Sequence, residues 1–158
     1  MRSLHSYYIF IFALIVGILS FVIKVEAQSL TVVGGNITMT MTTGIAGGQL
    51  VNVVNTVTSL SFSKPTVPPA KITAVTSCPG QRFNLELLVI NTTKGVSQPA
   101  IMLVNGSPAA DIVRDIPKTG AKNGTCTLQY TASATFAQGN STELGNDVHT
   151  VTFTIQAQ

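Results

Sequence analysis

The chain has no tryptophan, two cysteines in 158 residues, and charged residues at only 9%. Each shortage excludes something. Once residues 1–27 are set aside, the cations are Lys64, Lys71, Arg82, Lys94, Arg114, Lys118 and Lys122, scattered with no basic stripe. The sequence pI of 9.1 therefore reflects a scarcity of charge and does not point to nucleic acid. The aromatics left are Phe62, Phe83, Tyr130, Phe136 and Phe153. All sit at core parity in their strands, so none remains as a platform for a sugar ring. Two cysteines without a neighbouring histidine make a poor zinc site. Helical periodicity is missing from residues 28–158, and so is a second apolar run long enough to span a bilayer.

The N-terminus is the one strongly apolar stretch. Arg2 and His5 precede an apolar run over residues 7–23, and Val25-Glu26-Ala27 forms a small-residue cleavage pattern. Residues 1–27 thus read as a secretory signal cleaved after Ala27, with an uncleaved signal-anchor as the rival. The expected address is secreted or cell-surface, with no membrane span after cleavage. Removal of Arg2, Lys24 and Glu26 leaves 7 cations against 5 anions, a net charge of +2. Polarity comes instead from 21 Thr, 9 Ser and 9 Asn in residues 28–158. Threonine is β-branched and suits the wet face of a sheet. In an exported protein, Cys78 and Cys126 are most simply one disulfide, worth about 4 kcal/mol in the chain-entropy model. Two free buried thiols or a metal site are the alternatives.

What is present is alternation. Cys126, Leu128, Tyr130, Ala132, Ala134 and Phe136 alternate with Thr, Gln and Ser, and Val151, Phe153, Ile155 and Ala157 do the same. Such runs have one dry and one wet face, and a Gly/Asn-rich loop between them predicts a long terminal hairpin. Upstream, Leu30 and Val32 precede Gly34-Gly35, read as a turn or bulge before Ile37, Met39 and Met41. Residues 49–62 slip phase between Val57 and Leu60, which predicts a bulge near Thr58-Ser59 or two strands with a bend. Pro65, Pro68 and Pro69 mark a crossing loop or an edge. Residues 71–77 and 83–90 flank Cys78-Pro79-Gly80 and read as a hairpin, the second strand covered on both sides. Residues 100–104 and 111–116 read as short strands, the latter an edge, and Asn123-Gly124 reads as a hairpin turn. Seven to nine short strands with turn signals between them predict one domain, residues 28–158, folded as an all-β antiparallel sandwich.

The closing Ala134-Thr135-Phe136, a Gly/Asn loop and Val151-Thr152-Phe153-Thr154-Ile155 are similar to the ends of chaperone–usher fimbrial subunits. The whole pattern resembles the immunoglobulin-like sandwiches of bacterial surface proteins. The resemblance implies an immunoglobulin-like fold, an extracytoplasmic address and a role in assembly. It covers about thirty residues, and there are departures. Fimbrial subunits carry their cysteine pair early, and an antibody-type domain has Tyr two residues before its second Cys and a buried Trp. Here Tyr130 follows Cys126.

Chemistry is thinly represented. His149 is the only histidine outside the signal, with Asp147 two residues before it, and it reads as a strand-end histidine at the sheet rim. No G-x-S-x-G elbow accompanies it. The carboxylates Glu86, Asp111, Asp115, Glu143 and Asp147 stand in no glycosidase-like motif. Asp111 and Asp115 read as edge-strand charges, and the loop 139–147 lacks the spacing of a dedicated calcium site. No catalytic, cofactor or metal residue is assigned and no cofactor is expected. Five N-x-S/T sequons, at Asn36, Asn91, Asn105, Asn123 and Asn140, are candidate glycosylation sites.

The sequence therefore predicts a non-enzymatic surface protein, structural or adhesive, associating with copies of itself or other surface proteins through strand edges. Residues 29–43 are the segment expected to exchange. The alternative is a monomeric extracellular ligand- or carbohydrate-binding module that uses the loops around Asn105, 118–123 and 139–147 at one end of the sandwich.

Overall fold

A computed structural model describes residues 28–41, 50–63, 69–117, 123–135, 138 and 145–158. The signal segment, the loop 64–68, Phe136, Asn140 and Glu143 lie outside the described residues. Nine strands are described: β1 Ser29–Val33, β2 Val53–Ser63, β3 Ala70–Ser77, β4 Asn84–Ile90, β5 Val96–Ser97, β6 Ile101–Met102, β7 Ala110–Ile116, β8 Asn123–Ser133 and β9 Thr150–Ala157. They form two antiparallel sheets, ordered β1-β2-β8-β4-β6 and β5-β7-β3-β9. No α-helix occurs among the described residues.

Alternation explains how the sheets stack. On β8, Cys126, Leu128 and Tyr130 are buried while Thr127, Gln129 and Thr131 are half-buried. On β2, Leu60 and Phe62 join them, and the opposite sheet supplies Ile72, Ala74, Val113 and Ile116. These inner faces make one core, and burying them away from water is what holds the two sheets together. The turn at Cys78-Pro79-Gly80 forms as expected, with Gln81 N donating to Cys78 O at 3.0 Å and Gly80 at φ 76°. The expected bulge is also present, because the β2–β8 register shifts between Asn55 and Thr58.

Several pairings differ from expectation. The terminal hairpin is not formed: β8 lies in the five-stranded sheet and β9 in the other, where β9 pairs with β3. The 71–77/83–90 hairpin fails likewise, since the turn hands the chain from β3 to β4 in the opposite sheet. Alternation fixes which face of a strand is dry. It gives the same signature whether two strands pair side by side or face each other across the core. Asn123-Gly124 is no hairpin turn but opens β8, with Gly124 opposite Phe62. β7 lies between β5 and β3 and is not an edge. β4 is dry on one face only, at Leu87 and Val89, while Leu85, Leu88 and Ile90 are half-buried. Residues 36–41 form no strand, although Ile37 and Met39 pack against the core.

Candidate functional site

The two cysteines do not form the expected disulfide; both are free and buried. Their placement gives the reason. Cys126 lies on β8 of the five-stranded sheet, paired with Leu60 near the end of the sandwich that holds Phe62 and Gly124. Cys78 follows β3 in the other sheet, at the end where Asn84 pairs with Ser133. About six residues of strand, on the order of 20 Å, separate these levels. A disulfide needs its Cα atoms within about 7 Å.

Cys78 has other company. The β3–β9 register runs Thr76↔Val151 and Ser77↔Thr150. One step further along it brings Cys78 opposite His149. On β3 the positions sharing Cys78's parity (Ile72, Ala74, Thr76) are buried, so this parity faces the core. Just before β9, Asp147 and His149 are half-buried and the intervening Val148 is 75% exposed. The three potential donors, Cys78 Sγ, a carboxylate oxygen of Asp147 and a ring nitrogen of His149, all lie within 4.8 Å of one another.

Each of the three is held by neighbours. Asp147 Oδ2 accepts hydrogen bonds from the backbone N–H of Arg82 at 2.9 Å and of Phe83 at 2.8 Å. His149 Nδ1 shares a 3.0 Å bond with Thr76 Oγ1. Cys78 N donates to Asn105 Oδ1 at 2.9 Å, and Asn105 N donates in turn to Gln81 Oε1 at 2.7 Å. Gln81 Nε2 closes this polar girdle on the carbonyls of Leu103 and Phe83, at 2.8 and 3.1 Å.

The electrostatics separate two kinds of chemistry. Burial pushes the Cys78 thiol above its ordinary pKa and the Asp147 charge adds to that, against a hydrogen bond from the Val148 backbone. A nucleophilic cysteine needs the opposite shift and access to a substrate. Cys78 is 1% exposed. The trio is therefore poorly suited to thiol catalysis. Burial also lowers the pKa of His149, with Asp147 opposing, which favours the neutral imidazole over its charged form.

The other candidate residues do not converge. Asp111 pairs with Lys71 at 2.9 Å, and Asp115, at φ 55°, accepts from Gln158 Nε2 at 3.1 Å. Glu86 sits on β4 opposite Thr131 and Met102. Asn36, Asn91, Asn105 and Asn123 are all exposed, and Asn91 adopts φ 52° at the end of β4. Asn105 adjoins Cys78, whereas Asn123 pairs with Ser63 at the far end. Of the positions expected at one end of the sandwich, Asn105 and Asn123 thus lie at opposite ends, and residues 118–122 and 139–144 lie outside the described residues. Cys78 and His149 stand 71 positions apart, and only the β3–β9 register brings them together, so nothing in the sequence near one marks the other. The legible part was the Asp-x-His spacing.

No family model matches the chain, and neither a curated protein nor a solved structure matches it.

Proposed function

We propose that this is a non-enzymatic, immunoglobulin-like domain of an exported or cell-surface protein, with a structural or adhesive role, that associates with copies of itself by exchanging its first strand. One observation carries the reading. β1 is a five-residue edge strand paired only to β2, and it ends in two positive-φ glycines, Gly34 at φ 114° and Gly35 at φ 64°. Beyond them Ile37 and Met39, half-buried, pack against the core without belonging to any strand. A short edge strand is held by few ladder bonds, so the same contacts made to a neighbour's β2 cost little extra free energy. Val32, Val33, Val54 and Val57 leave apolar surface on β1 and β2 about half or more exposed. Such a surface favours a covering partner over water.

Light scattering at two concentrations tests self-association, and a reversible lock tests its route. Ser29 and Ser63 are cross-strand partners whose Oγ atoms lie 2.6 Å apart. Ser29→Cys with Ser63→Cys therefore meets the geometry of a disulfide. The oxidised double variant is expected to stay monomeric, and reduction to restore the concentration-dependent species. Equal association in both redox states would remove strand exchange as the mechanism.

A further inference from the structure

We infer that Cys78, Asp147 and His149 form a binding site for one divalent transition-metal ion of the zinc class. The inference is independent of self-association, because the site lies at the end of the sandwich away from Ser29 and Ser63.

A thiolate, an imidazole and a carboxylate are the donor types that zinc accepts, and three protein ligands leave a fourth tetrahedral position to water. The thiolate argues against calcium and magnesium, which take oxygen ligands. Donors within 4.8 Å of one another need only a small contraction to surround an ion at bond lengths of about 2.0–2.3 Å. A thiolate and a carboxylate together carry two negative charges, which match a divalent cation and neutralise the pocket. On binding, the Cys78 S–H bond breaks, the sulfur lone pair forms the S–metal bond and the proton leaves to buffer.

The surroundings supply what ligands require. Metal-bound histidines have their second ring nitrogen fixed by a hydrogen bond; Thr76 occupies Nδ1 of His149, which assigns Nε2 to the ion. Ligating carboxylates are themselves hydrogen-bonded, and the Arg82 and Phe83 N–H groups hold Asp147. The backbone of Cys78 is tied to Asn105.

Cobalt(II) is the probe, added to the reduced, purified protein. One Co²⁺ per chain is expected to bind, with a thiolate-to-cobalt charge-transfer band and the visible bands of a four-coordinate ion. Zn²⁺ displaces it, and excess Ca²⁺ does not. Cys78→Ser abolishes the charge-transfer band while Cys126→Ser keeps it. His149→Gln and Asp147→Asn each weaken binding at least tenfold. Thr76→Val, a change to a positioning residue, weakens binding about 10–100-fold with the band retained. Circular dichroism and the urea midpoint report whether each variant folds. Should Cys78→Ser fail to fold, the wild-type stoichiometry together with His149→Gln decides. A folded wild-type protein with no charge-transfer band overturns the inference, as does a band that survives Cys78→Ser or Asp147→Asn with His149→Gln combined.

Discussion

Gly124 shows how narrowly one side chain is fitted to its neighbour. A Cβ there would lie 2.5 Å from Phe62 Cζ, and Phe62 is 2% exposed with nowhere to retreat. Glycine costs the strand conformational entropy, but here it makes room for the ring. Gly124→Ala is expected to lower stability by about 1–3 kcal/mol, the usual cost of overpacking, seen as a lower urea midpoint. The second prediction at this scale concerns Cys126, whose thiol burial pushes from 9.0 to about 11. The folded state holds this proton more tightly than the unfolded chain does. Its contribution is therefore whole below pH 9 and is lost as pH rises toward 11. Each pH unit of separation is worth about 1.4 kcal/mol. Cys126→Ala should make the fall in stability between pH 9 and 11 less steep, leaving the share that comes from Cys78, also raised by burial, and from Tyr130, raised from 10.0 to about 12. Identical profiles for the two proteins would show that Cys126 does not govern this range.

Among the elements, β1 and the β2 bulge act as a pair. The Gly34 backbone comes so close to the bulge that a Cβ would meet Val57 O at 2.7 Å, and its φ of 114° suits glycine alone. Gly34→Val should detach β1 locally at a cost of about 1–3 kcal/mol. Hydrogen exchange checks it: protection over residues 29–33 should fall while β3 and β9 keep theirs. The bulge itself was legible from the change of parity between Val53 and Leu60, although Val57, which the alternation places with Val53, is 66% exposed. The strands were legible too, from Thr-against-apolar alternation in β8 and β9. Their pairing was not. Nothing local distinguishes Phe153 lying beside Tyr130 from Phe153 paired with Ala74 in the other sheet. The candidate site was illegible for the same reason: it depends on a register between segments 71 positions apart.

At the scale of the molecule, the sheets are joined by their core and not by a covalent bond, since both cysteines are free. Dithiothreitol should leave the urea midpoint unchanged. A loss near 4 kcal/mol on reduction would mean that Cys78 and Cys126 are cross-linked in a different arrangement of the sheets. The ladder itself is long-range: Ala70 pairs with Ala157, and Ser63 with Asn123. Gln28 Nε2 donates to Ile155 O at 2.8 Å, so the start of β1 lies beside the last strand. That contact makes the fold a candidate for circular permutation. Gln158 joined to Gln28 by a short linker, with the chain reopened between the exposed Pro99 and Ala100, would carry every strand of the sandwich in a new order. β1 would then be an interior segment of the chain, tethered at both its ends.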